Sequence, residues 1–347
     1  MEKKAPDNNK ARSLNRRKFL VLTSSALTAG ASTLAVSRAA AQSATYPDHP
    51  VSVIVAYAPG SATDIIARVF ATELHSLLGQ NFVVESKPGA SGMIGAAALA
   101  RSNSDGYTLS LISPAVLTIN PWVYKNLTYD PLKDFTPVIK LATASSLLLV
   151  PAQSPATSVR DLMRLMKERK QGNYMQYNSA GNGTTQHLQA VLLAKLADAT
   201  AQHVPYSSVS NQLNALVTGE VDFSLAVLPA ASRLVKSGRI RALAITSAER
   251  SAVLPDVPTF RSAGFDVFEK TGIWWGIIGP KAMPEAITQA LHSALAKVLG
   301  NPGVQEKLAN MGFEAERPAP ASEFAQFIRV QHAFMEDLVK RSGTAIQ

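Results

Sequence analysis

The feature that most constrains this chain is a repeated switch of hydrophobic period. Short β-branched runs such as residues 51–57, Val-Ser-Val-Ile-Val-Ala-Tyr, alternate with longer segments whose apolar residues fall three and four apart, such as 64–78, which Gly79 ends. The switch recurs at 82–85 followed by 94–101, and a further strand is predicted at 107–112. Strand, helix and strand in that order imply parallel pairs with crossover helices. The middle of the chain repeats the scheme: helix 158–170, strand 174–177, helix 184–197, strand 201–204, helix 211–217 and strands 221–227 and 240–245. Apolar strands at 146–150 and 272–278 bracket it, so the chain leaves one lobe, builds a second and returns. The expectation is an α/β protein of two lobes, 42–146 with 272–347 as the first and 147–271 as the second. Each lobe is expected to be a mostly parallel sheet flanked by helices, joined by a two-strand hinge at 147–150 and 273–278. Helices predicted at 284–299, 304–311 and 322–340 have no strands of their own and are expected to pack on the first lobe.

Residues 1–41 read as an address. Asn15-Arg16-Arg17-Lys18-Phe19-Leu20 is a twin-arginine pattern, and the apolar stretch after it is diluted with Thr, Ser and Gly and ends in Ala39-Ala40-Ala41. Ala39 and Ala41 fit a small-x-small cleavage site, which predicts a cleaved export signal, cut after Ala41, and a periplasmic protein. The stretch is shorter than the roughly 20 apolar residues of a spanning helix. Removal of the leader takes away eight Lys or Arg and two acids, so the formal charge falls from +9 to +3. Basicity therefore belongs to the signal, and nucleic-acid binding, which needs a basic stripe in the mature chain, is not expected. About 306 residues remain, beyond the size at which single cores usually stop growing, which again argues two lobes. The absence of cysteine excludes disulfides, thiolate chemistry and iron–sulfur ligation.

Sequence signatures of catalysis fail. There is no His-Glu-x-x-His, no Gly-x-Ser-x-Gly and no Walker loop, and Gly181-Asn182-Gly183 lacks the third Gly of a dinucleotide fingerprint. Of six histidines only His187 stands at a candidate functional place, in the first turn of a helix, with no second metal ligand at i+3 or i+4. An enzyme reading would use His187 with Ser179 or Thr184, and lacks an identifiable acid to orient the imidazole. What the sequence supplies twice is a strand that ends in a small-residue turn and opens a helix, at residues 58–64 and 179–185. First-turn amides without intrahelical acceptors, together with the helix dipole, make each a site for an anion. Capping alone also accounts for these residues: Ser61 with Asp64 three on resembles a capping box, and Thr184 or Asn182 fits an N-cap.

These motifs, with Tyr46-Pro47-Asp48-His49-Pro50, Lys87-Pro88-Gly89-Ala90-Ser91-Gly92, Asp105-Gly106-Tyr107, His203-Val204-Pro205-Tyr206, Gly219-Glu220-Val221-Asp222 and Leu254-Pro255-Asp256-Val257-Pro258, resemble the Bug-type periplasmic solute receptors of tripartite tricarboxylate transporters. The resemblance runs in order from Tyr46 to about Ile328. It implies a two-lobed fold of the periplasmic-binding-protein kind, type II-like, that closes as a monomer on a small carboxylic acid or amino-acid-like solute and serves transmembrane permease subunits. It implies no metal and no cofactor. The implied ligand set is Gly60, Ser61, Ala62, Thr63, Asp64 and the segment from Ser113 to Asn120 on one lobe. On the other it is Ser179, Gly181, Thr184, His187 and Asp222, with Tyr206 nearby. Ser61-Ala62 stands where members commonly carry consecutive glycines, and Ser207-Ser208 where many have Lys-Gly. A receptor that signals to a sensor protein, without transport, would leave the same sequence traces.

Overall fold

A computed structural model of the chain describes residues 1–2, 46–206 and 208–342. But for its first two residues, the expected leader with its cleavage point lies outside the described residues, as does Ser207. Everything below lies in the unit that begins at His49.

The first sheet is built from β1 (Val51–Val55), β2 (Phe82–Ser86), β3 (Thr108–Ile112), β4 (Phe135–Ala144), β10 (Ile273–Pro280) and β11 (Glu314–Ala315), in the order β11-β4-β10-β3-β1-β2. The second holds β5 (Ser146–Pro151), β6 (Met175–Ser179), β7 (Ala201–Pro205), β8 (Phe223–Val227) and β9 (Ile240–Ile245), in the order β7-β6-β8-β5-β9. The helices are α1 (Ala62–Leu78), α2 (Met93–Ala100), α3 (Asn120–Val123), α4 (Val159–Glu168), α5 (Thr185–Leu196), α6 (Val209–Thr218), α7 (Leu228–Lys236), α8 (Glu285–Leu299), α9 (Pro302–Asn310) and α10 (Ala321–Ser342).

The two α/β sheets flanked by helices match the expected fold class, with a correction to their strand directions. β2-β1-β3 and β7-β6-β8 are parallel, as βαβ units require, but β10 runs antiparallel to β3 and β4, and β5 runs antiparallel to β8 and β9. Both sheets are therefore mixed. The strand that passes between lobes enters the second sheet from its far end, and the returning strand does the same in the first.

The two bracketing strands each belong to one sheet. Residues 147–150 are committed to the second sheet and 273–278 to the first. The crossings fall at the joints, one at Ser145, the single residue between β4 and β5, and the other just before Ile273. β4 itself is not among the elements that sequence periodicity predicts, nor are α7 and the short β11. The C-terminal helix does not keep to one lobe either. Phe324 and Ile328 pack beside Trp274 in the first lobe, whereas Met335, Leu338 and Val339 join the apolar cluster of Leu188, Phe223 and Tyr177 in the second. α10 is thus a strap across both lobes, on the side where Ile119 and Val123 also share that cluster.

Gly276 sits at the bulge in β10, where the register against β4 shifts between Trp275 and Gly276. A Cβ there would sit 2.3 Å from Phe324 Cζ and 2.9 Å from the Ile139 carbonyl oxygen, so β10 and α10 approach too closely for any side chain. Gly276→Ala is expected to destabilise the protein by about 1–3 kcal/mol through overpacking, read as a lowered denaturant midpoint at unchanged slope.

Candidate functional site

Parallel strands bring their carboxyl ends to one edge of each sheet, and the helices that follow begin there. At the end of β1 the chain turns through Gly60, at φ +78°, into α1. Ser61 is the N-cap, its Oγ accepting the Asp64 N–H, while the Asp64 carboxylate accepts the Gly60 N–H at 2.9 Å and is gripped by Arg68 at 3.0–3.1 Å. Burial pushes the Asp64 carboxyl up, but the hydrogen bonds from Arg68 and Gly60 and the Arg68 charge outweigh it and leave it below the usual carboxylate range. Asp64 is only 3% exposed and does not line the cleft described below. Its charge is therefore engaged, and the amides of Ala62 and Thr63 begin the helix with no intrahelical acceptor.

The second loop is built alike. Gly181 and Gly183 lie at φ +127° and +75°, and Thr184 caps α5, its hydroxyl accepting the His187 N–H and donating to the Gly181 carbonyl. The His187 Nδ1 accepts the Gly183 N–H at 3.2 Å, and its ring stacks on His203 at 4.4 Å. Burial pushes both imidazoles down to about 4, with mutual repulsion contributing at His203. Ser179 Oγ lies 2.7 Å from His203 Nε2 and is fully buried. The histidine beside Ser179 is therefore His203, a partner that sequence reasoning misses, and the pair sits beneath the loop as its support.

Between these two helix starts lies a cleft of about 440 Å3. Gly60, Ser61, Ala62, Thr63 and Ser113 line it from one lobe and Thr184 from the other. Thr185, Gln186, Tyr57, Ser210 and Trp275 line it too, and are not in the expected set. The Tyr57 hydroxyl is 2.8 Å from Ser113 Oγ, and burial pushes the phenol up to about 12, so it stays a neutral hydrogen-bonding group. Trp275 donates its Nε1–H to Thr63 Oγ1 at 2.9 Å, whereas its neighbour Trp274 faces the opposite side of the strand and packs on Phe324 and Phe327. Among the described lining residues no side chain carries a charge.

Several expected site residues lie elsewhere. Asp222 accepts the Gln176 N–H and sits before β8, at the amino end of the strands, opposite the cleft edge. The Tyr206 hydroxyl goes to Glu220. Ser179, Gly181 and His187 shape the α5 loop from behind. Asn120 is buried outside the cleft and donates to the Ser91 carbonyl. It belongs to a contact between the lobes: the Asn182 carbonyl accepts hydrogen bonds from the Tyr124 hydroxyl at 3.0 Å and from Ser91 Oγ. The lobes come so close there that a Cβ on Gly183 would lie 3.1 Å from both Asn120 Oδ1 and the Tyr124 ring. No group of metal-binding side chains occurs among the described residues.

Comparison with known proteins agrees with this geometry. Residues 66–346 match the family described as TctC, tripartite tricarboxylate transporter family receptor. The chain is 32% identical over 329 residues to the UPF0065 protein in the gbd 5'region of Cupriavidus necator, covering 94% of this chain and 98% of that one. Among solved structures it is similar to R. palustris Rpa4515 with adipate, at TM-score 0.81 and 32% identity, covering 86% and 99% of the two chains. It is also similar to MatC (Rpa3494) from Rhodopseudomonas palustris with bound malate, at TM-score 0.78 and 30% identity, covering 85% and 100%. A two-lobed α/β chain with paired helix starts at one cleft, matched along most of its length, belongs to the tripartite tricarboxylate transporter receptor family.

Proposed function

We propose that this chain is a periplasmic receptor that captures a small carboxylated solute between its lobes and delivers it, as a monomer, to the permease of a tripartite tricarboxylate-type transporter. The supporting observation is the meeting of the α1 and α5 starts across one cleft whose described walls carry no charged side chain. Amides and hydroxyls there, from Ser61 to Thr63, Tyr57, Ser113 and Thr184 to Gln186, offer a carboxylate hydrogen bonds and the positive ends of two dipoles. Adipate and malate in the two similar structures are carboxylates, which supports the same class here. Export by the twin-arginine leader and delivery to a permease belong to the same reading.

Thermal denaturation of the mature protein with a panel of organic acids tests it, after refolding to strip any co-purified solute. With micromolar affinity, a millimolar ligand stabilises by about 4 kcal/mol, a shift of several degrees. A panel of mono-, di- and tricarboxylates in which none raises the midpoint would contradict the reading. Loss of uptake of the stabilising acid in a strain lacking the protein tests the delivery step.

Closure is favoured only by contacts that form in the closed state. The Tyr124 hydroxyl joins the lobes outside the cleft through its hydrogen bond to the Asn182 carbonyl, and on this reading that bond forms on closure. Tyr124→Phe removes it at a cost of about 1 kcal/mol. The variant is therefore expected to bind solute roughly fivefold more weakly by calorimetry, with its melting temperature in the absence of solute little changed.

A further inference from the structure

We infer that the solute joins its carboxylate to a hydrocarbon body of about ring size, and that short hydroxylated di- and tricarboxylates are poor ligands. The inference rests on the carboxylate reading above and deepens it.

From Trp275, beside the α1 start, the cleft wall turns apolar. Trp275 and Ile273 come from β10, Phe313 from the turn after α9, Leu213 from α6 and Val227 from the end of β8. These side chains are held in place. Trp275 is fixed by its hydrogen bond to Thr63 and by edge-to-face packing on Phe313, with ring centroids 5.4 Å apart. Leu213 is rooted in the cluster of Leu147, Leu216 and Val221. At Gly312, φ +85°, a Cβ would lie 3.4 Å from Pro229 at the start of α7, so the Phe313 turn of one lobe is pressed against the other and the wall is completed from both.

Ser210 at the start of α6, Ser232 in α7 and Asn310 at the end of α9 are the neutral polar side chains these elements add to the cleft, and no Lys, Arg or His is among the described lining residues. A second carboxylate turned against Trp275, Leu213 and Val227 would give up much of its water with only neutral side chains such as Ser210, Ser232 and Asn310 to receive it and no cation to balance its charge, which is unfavourable. A hydrocarbon group placed there instead buries its own surface and theirs. The volume of about 440 Å3 leaves room for a ring-sized group beside the carboxylate.

The test is calorimetric titration of the refolded, solute-free mature protein with phenylacetate, malate and citrate, repeated on Val227→Thr and Leu213→Asn. Phenylacetate is expected to bind at least tenfold more tightly than malate or citrate. Each substitution is expected to weaken phenylacetate about tenfold while changing malate less than threefold. Circular dichroism and melting curves identify a variant that has failed to fold, and the near-isosteric Val227→Thr then carries the comparison. Malate or citrate binding as tightly as phenylacetate overturns the inference and leaves the carboxylate reading standing. Equal weakening of phenylacetate and malate by a folded variant overturns it as well. If none of the three binds, and no other carboxylic acid does, the receptor reading fails and this inference with it.

Discussion

An aspartate at the start of either cleft helix, Ala62→Asp or Thr185→Asp, is expected to weaken carboxylate binding at least a hundredfold while leaving the fold intact. Both positions are the first residue of their helices and both line the cleft. A carboxylate there faces the same amides the solute needs and repels it at short range. A hundredfold loss corresponds to about 2.7 kcal/mol, well within what one uncompensated charge in a partly desolvated site produces. Stability is expected to move the other way or not at all, because an acidic side chain in the first helical turn is favoured by roughly 0.3–1 kcal/mol. Ala62→Asn and Thr185→Asn are close in size to the aspartate variants and carry no charge, so they separate electrostatics from crowding. Titration of these four variants with the acid that most stabilises the wild type is the measurement. Wild-type affinity in the aspartate variants would place the anion somewhere other than the helix starts. The native Asp64 does not produce this repulsion, because Arg68 and the Gly60 amide engage its charge.

Acid is expected to destabilise the protein from about pH 6.5 downward. His187 and His203 are pushed by burial from 6.5 to about 4. Above pH 6.5 both are neutral folded and unfolded, so they contribute nothing to the pH dependence. Between pH 6.5 and about 4 the unfolded chain takes up protons that the folded chain does not, so stability falls as pH falls. Below about 4 the folded form protonates too and the loss levels off. For His187 alone this is on the order of 3 kcal/mol, from 1.36 kcal/mol per unit of difference. His203, stacked against it, adds to the loss. Among the described residues that contact the two rings, none carries an opposing charge: Tyr177 stacks on both with its phenol pushed further up by burial, and Ser179 and Gly183 are neutral. Asp64, Asp130 and Asp161, all held below the usual range, lose their contribution only at lower pH. Urea midpoints from pH 7.5 to 4.5 are expected to drop steeply for the wild type and to flatten in the His187→Gln, His203→Gln double variant. A wild-type profile flat from pH 7 to 5 would contradict the burial of neutral imidazoles.

The βα units are legible in the sequence because they rest on local period. β1, α1 and its Gly79 end, α5, α6, β9 and α8 lie within a few residues of expectation. β4 escapes such a reading because its apolar residues are interrupted by Pro137 and Lys140, and because it forms by pairing with β10, roughly 135 residues further along the chain. α7 opens with Leu228-Pro229 and merges into the end of the preceding strand when read by hydrophobicity, although Pro in the first turn is a helix start signal. The strap role of α10 rests on which lobe each turn meets, and periodicity is silent about that.

In the cleft, the loops at Gly60 to Thr63 and at Thr184 are legible because a small-residue turn after a strand fixes where helix amides point. Asp222 and Tyr206 come from motif resemblance, and their side chains are taken up by Gln176 and Glu220. His187 and Ser179 face inward, a matter of rotamer and of the His203 ring, which comes from a neighbouring strand. Of the aromatic pair, Trp275 faces the cleft and Trp274 the opposite core, as alternation along a strand requires.

The central claim, that two helix starts receive a carboxylate, is tested most directly by identifying the solute. Protein purified from the periplasm without denaturation is unfolded, and the released small molecules are measured by mass spectrometry. The account predicts a carboxylic acid in near-stoichiometric amount, absent from the Ala62→Asp variant prepared in parallel. A stoichiometric solute without a carboxylate, or one retained equally by Ala62→Asp, would contradict it.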